Sequence, residues 1–151
     1  TAKFDESAPA LGAVTTNEFV FSRTYKMNSI NFKREISASV DEAVERLTSA
    51  LAQQGFGILT RINMHSTIKE KTGKDIVPTI ILGACNPNLA YEAYTANSDV
   101  AGLLPCSAVV REIASGRISI ELTAPSAMMR ILGDAKLVER AGEADKRIEM
   151  A

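Results

Sequence analysis

SVDEAVERLTSALAQQGFGILTRI, residues 39–62, contains one complete passage from helix to strand. Ser39-Val40-Asp41-Glu42 is a capping box: the Ser39 hydroxyl accepts a free amide of the first turn and Glu42 reaches back to the cap. Val40, Ala43, Val44, Leu47, Ala50 and Leu51 then recur at steps of three and four, which gives a helix one apolar face. Glu42 and Arg46 stand one helical turn apart and form a pair worth roughly 0.2–0.5 kcal/mol. Gly55 stops the helix. From Gly57 to Met64 the period falls to two, through Ile58, Thr60 and Ile62, so the chain continues as a strand. A helix with one apolar face, followed by a strand, predicts helices laid on a sheet.

The rest of the chain extends that pattern in both directions. Upstream, Glu18–Tyr25 and Asn31–Ala38 alternate as strands, and residues 1–16 read as a loose arm or the remnant of a leader. Downstream, a short helix over Ser66–Thr72 closes at Gly73, and Val77–Ala84 is a strand with Pro78 at its start or on an edge. Asn86 is a good N-cap and Pro87 suits the first helical position, so a helix opens there and runs through Leu89, Ala90, Ala93 and Tyr94. Tyr91 and Tyr94 are expected to pack under it. Asp99–Pro105 is a connection. Ser107–Ile113 and Arg117–Thr123 form a hairpin around Ala114-Ser115-Gly116. Pro125 ends the second of these strands, and two helical stretches follow, Ser126–Leu132 and Ala135–Ile148, divided at Gly133-Asp134. The fold class is α+β: a two-layer domain over residues 17–151, with a mainly antiparallel sheet, one solvated sheet face and helices packed on the other.

Composition excludes several functions. With 151 residues, 46% hydrophobic and 23% charged, the chain has the make-up of one ordinary globular domain with an aliphatic core, since aromatics are 5% and Trp is absent. The formal charge of −1 gives no electrostatic reason to expect nucleic acid as a partner. Arg23, Lys26, Lys33 and Arg34 cluster in sequence, but no aromatic platform accompanies them and they read as a solvated strand face. No stretch approaches the ~20 apolar residues of a membrane helix, so no membrane insertion is expected. Glycine-rich nucleotide loops, a GxSxG elbow and a paired acid and base are all missing. The compartment is unknown: the cytoplasm is the default, and an exported or periplasmic location stays open if a leader has been removed.

The chemistry concentrates around two cysteines. In ILGACNPNLAYEAY (81–94), Cys85 ends an apolar strand and stands beside the helix that Asn86 and Pro87 open. The positive end of that helix would favour a Cys85 thiolate. Cys106 begins the next strand after Leu104-Pro105, and an antiparallel layout brings both cysteines to one end of the sheet. No CxxC is present, so a thioredoxin-like site is excluded. A structural zinc needs four ligands, and Cys85, Cys106 and His65 offer three at most. Two thiols can hold a soft ion such as copper(I), with Met64 or Met128 as an added thioether. Cysteine is also a common buried small apolar residue, and that structural role stands beside the ligand role.

GFGILTRI (55–62), IKEKTG (68–73), ILGACNPNLAYEAY (81–94), GLLPC (102–106) and the VV…GRISIEL hairpin together resemble the domain-of-unknown-function family numbered 302. The resemblance implies a compact α+β domain related to the TATA-binding-protein-like class, with a core over about residues 38–124, and a homodimer as the partner state. It places Cys85, Asn86, Pro87, Leu104, Pro105 and Cys106 on the two hallmark motifs of the family. It brings no established activity. The chain departs from the pattern at Thr72, where an apolar residue is usual, and in its flanks, 1–30 and 124–151, which would serve dimerisation or cover a sheet edge.

The functional expectation is therefore a small ligand-binding domain whose ligand-binding residues are Cys85, Asn86, Pro87 and Cys106. The ligand is a soft metal ion or a small sulfur or oxidant species, held by Cys85 as the activated thiolate and Cys106 as second ligand or resolving thiol. A thiol–disulfide redox protein and a structural homodimer module without a ligand are the alternatives.

Overall fold

The computed structural model describes residues 31–151. The arm over residues 1–16, the strand expected at Glu18–Tyr25, and Arg23 and Lys26 lie outside the described residues. Five strands, β1 (Asn31–Ser37), β2 (Gly57–Asn63), β3 (Thr79–Cys85), β4 (Cys106–Ala114) and β5 (Arg117–Thr123), form one sheet in the order β1-β5-β4-β3-β2. Every neighbouring pair is antiparallel. The helices are α1 (Val40–Gln53), α2 (Met64–Thr72), α3 (Pro87–Ala96), α4 (Pro125–Met129) and α5 (Ala135–Met150), with 3₁₀ turns at Ser98–Leu103 and Arg130–Leu132. This is the α+β, sheet-and-helix architecture that the sequence periods predict.

The capping box over residues 39–42 forms in half. Glu42 N–H donates to Ser39 Oγ at 3.2 Å. The Glu42 carboxylate turns to Arg46 at 2.6 Å, so the ion pair one turn on has taken the group that would have reached back. Val44, Leu47 and Leu51 of α1 are buried against Ile80, Leu82, Val110 and Ile118 of the sheet. Full burial of each large aliphatic side chain, such as Leu51 or Ile118, contributes roughly 1.5–3 kcal/mol. Ala144 and Ile148 of α5 join the same core, which makes the last helix part of the layer rather than an appendage. A second, smaller core of Val100, Met129 and Leu137 lies beside it, with Leu103, Leu104 and Ala141 packed around it.

Several elements depart from their expected detail. Pro125 opens α4 rather than only ending β5, because its missing N–H costs nothing at a helix start. The connection after α3 winds into a 3₁₀ helix, with the Asn97 side chain accepting from Asp99 N–H at 2.9 Å. Tyr91 and Tyr94, expected beneath α3, are 72% and 52% exposed. The half-buried positions of α3 are Leu89, Ala90 and Ala93, where small side chains leave no room for a ring. α2 carries no buried residue, as Thr72 suggests, and closes at Gly73 with φ 71°.

The far sheet face is polar on its β1 side. There Glu121 receives Arg111 at 3.3 Å and Lys33 at 3.5 Å. No helix of the described residues is long and apolar enough to cross a membrane.

Candidate functional site

Register puts the two cysteines at one end of the sheet. Cys106 pairs with Ala84 across β4 and β3, so Cys85 is the next residue along, and both stand at the same end of the sheet. Both line one cavity, at the seam of the two cores: Phe56, Ala84 and Ala144 come from the larger, Val100, Met129 and Leu137 from the smaller. The centres of water-sized atoms have about 60 Å³ available inside it. One water needs about 10–15 Å³ on that measure. The walls are apolar, and α3 and α5 frame the opening with Glu92 and Arg140.

The cavity environment decides the state of the thiols, and it corrects the expectation of an activated Cys85. Burial raises the Cys85 pKa above the ordinary thiol value rather than lowering it. The end of α3 offers little opposition. Pro87 has no N–H, and the Leu89 N–H is taken by Asn86 Oδ1 at 3.2 Å. Cys106 is pushed up to about 11, first by burial, then by the negative charge that Cys85 would carry and by the carboxylate of Asp145. That carboxylate is fixed by Ser126, whose N–H donates to Oδ1 at 3.0 Å and whose hydroxyl donates to Oδ2. Near neutral pH both thiols are protonated, soft and uncharged.

Asn86 is buried at 6% exposure and lines the cavity as well as capping α3. Pro87 holds the first helical position of α3. His65 is elsewhere. Its Nδ1 accepts the Thr79 N–H at 3.1 Å, at the start of β3, while Cys85 ends that strand. Six residues of extended chain separate the two by roughly 20 Å. His65 therefore binds backbone rather than joining the thiols, and Met64 beside it is equally remote. The nearby thioether is that of Met129, 4% exposed and on the cavity wall, rather than Met64 or Met128. Among the described residues no group of three or more His, Cys, Asp and Glu is arranged to hold a metal ion.

Sequence reasoning missed Met129, Ala144, Glu92, Arg140 and Asp145. Ala144 continues the apolar side of α5 begun by Leu137 and Ala141, so helical period held a signal for it. Asp145 and Ser126 carry no such signal, because their contact depends on how α4 and α5 pack.

No curated protein matches the chain. Among solved structures it is similar to one described as "uncharacterized conserved protein DUF302 from Bacillus stearothermophilus". The two share 31% sequence identity and a TM-score of 0.74, over 80% of this chain and 93% of that one. The model of the family described as "Domain of unknown function DUF302" matches residues 32–151, a span that takes in α4 and α5 as well as the two cysteine motifs. On both grounds the chain belongs to the DUF302 family.

Proposed function

We propose that the domain binds a small, soft ligand between Cys85 and Cys106, in the cavity at the seam of its two cores. The observation that carries this reading is that the chain's two cysteines, 21 positions apart, line a single apolar cavity. The ligand class is a soft metal ion such as copper(I), or a low-molecular-weight sulfur species. Two sulfur ligands suit a soft ion of low coordination number, and a metal of that kind displaces the thiol protons on binding. Neutral thiols also suit a ligand that is itself sulfur-rich and poorly hydrated. Asn86 and Pro87 hold Cys85 at the end of β3 by starting α3 immediately after it. The site is built within one chain, so the homodimer implied by the family resemblance is not needed to complete it.

A thiol–disulfide reaction is the second reading, supported by the influence of Cys85 on the titration of Cys106. The raised pKa values weigh against it near neutrality, since attack needs a thiolate.

Native mass spectrometry of protein prepared without oxygen, with and without copper(I), tests both. Retention of copper by the native chain and its loss from the Cys85→Ala/Cys106→Ala variant is the expected result. A loss of two daltons on mild oxidation, reversed by reductant, would favour the redox reading. An unchanged apo mass under all these conditions would leave the sulfurs as wall atoms and sink the binding proposal.

A further inference from the structure

Taking the soft-ligand reading as its basis, we infer that the cavity accepts a small sulfur-containing amino acid, sulfur end inward, with its charged groups held at the mouth by Arg140 and Glu92. The shape argues for a ligand that is part buried and part exposed. The enclosed space holds about four to six water-sized atoms, fewer than the seven heavy atoms of L-cysteine. Whatever fills it must leave the remainder of the molecule at the opening.

The wall and the mouth differ in chemistry. Three sulfur-bearing residues, Cys85, Cys106 and Met129, line the wall, an environment that a thiol or thioether enters without losing hydrogen bonds. At the mouth, Glu92 comes from α3 and Arg140 from α5, two helices that pack against each other. Neither side chain has an ion-pair partner among the described residues, and they do not pair with each other. An amino acid carries a carboxylate and an ammonium on one carbon. The guanidinium fork of Arg140 matches the carboxylate, and the carboxylate of Glu92 matches the ammonium. A simple thiol would leave both charges unused. A simple zwitterion would leave the cavity unfilled.

The test is titration of the full chain by ¹⁵N NMR under a phosphine reductant and without oxygen, using L-cysteine, L-alanine and ethanethiol as probes. L-cysteine is expected to bind saturably and at least tenfold more tightly than either comparator, with shifts centred on α3, α5 and the end of β3. Arg140→Gln and Glu92→Gln, both at exposed positions, are each expected to weaken L-cysteine at least threefold while leaving copper(I) stoichiometry unchanged. Equal binding of L-alanine, or unchanged L-cysteine affinity in both variants, overturns the inference. Absence of L-cysteine binding by a chain that still takes up copper(I) also overturns it and leaves the soft-ligand reading standing. Absence of both removes the two together.

Discussion

Pro105 lies directly against Gly83, and no side chain fits between them. A Cβ built on Gly83 would stand 2.7 Å from Pro105 Cγ and 2.4 Å from Thr60 Oγ1. Gly83 sits in the middle of β3, paired with Thr60 on one side and Ser107 on the other, so its backbone cannot drift away from the clash without breaking both ladders. The Thr60 hydroxyl can rotate, but the pyrrolidine ring cannot. Pro105 also precedes Cys106, which ties the fit at Gly83 to the position of one cavity thiol.

Gly83→Ala is therefore expected to lower stability by roughly 1–3 kcal/mol, the usual cost of overpacking. The sign is informative. Where space permits, a glycine-to-alanine change raises stability by about 0.4–1 kcal/mol, because the unfolded chain loses freedom. Urea unfolding should show a lower midpoint for Gly83→Ala, with part of the loss recovered in Gly83→Ala/Thr60→Ala. A midpoint at or above that of the native chain would show that the contact yields.

Cys106 makes stability depend on alkaline pH. Its pKa rises from the ordinary thiol value of 9.0 to about 11 in the folded chain. The folded state thus holds the proton more tightly than the unfolded state, and the stabilisation is fully present below pH 9. It is lost as pH rises through 11, because the unfolded chain releases the proton first. The loss amounts to about 2–3 kcal/mol once both states are ionised. Urea unfolding at pH 8 and pH 11, compared between the native chain and Cys106→Ala, isolates this contribution from other titrating groups. The variant should be less stable at pH 8 and should fall less steeply towards pH 11. Parallel pH profiles would mean that the Cys106 thiolate is as well solvated in the fold as outside it.

The legibility of this protein in its sequence divides by the range of the interaction. α1 was readable because Ser39, the apolar positions and Gly55 act within a few residues of one another. The strand-to-helix passage at Cys85-Asn86-Pro87 was readable for the same reason. The placing of Cys85 and Cys106 at one end of the sheet followed from antiparallel topology, which alternation supports. The chemical state of Cys85 did not follow, since burial in the cavity sets it rather than the helix beside it, and α5 and the second core supply part of the cavity wall. His65 shows the same limit: its neighbour, the Thr79 backbone, lies 14 positions away and belongs to the other end of β3. The Ser126–Asp145 contact and the charged mouth exist only once α4 and α5 have packed, and no local pattern announces them.

Asn86 separates the two influences on Cys85 by experiment. Its Oδ1 accepts the Leu89 N–H at 3.2 Å and its carbonyl accepts the Ala90 N–H at 2.9 Å, so α3 starts on this residue. Its Nδ2 fits closely against Gly55, where an added Cβ would come within 3.0 Å. Asn86→Ala keeps the carbonyl and removes the side-chain cap, at an expected cost of about 1–2 kcal/mol. For a chain of this length that lowers Tm by roughly 2–8 °C. Asn86→Ser, which restores an acceptor, should recover part of it. The Cys85 titration, followed by the pH dependence of alkylation, is expected to change little in Asn86→Ala, because burial rather than the helix end sets it. If the variant instead moved the Cys85 titration upward by a full unit, the end of α3 would be stabilising the thiolate after all, and the helix would have to be restored to the account of the site.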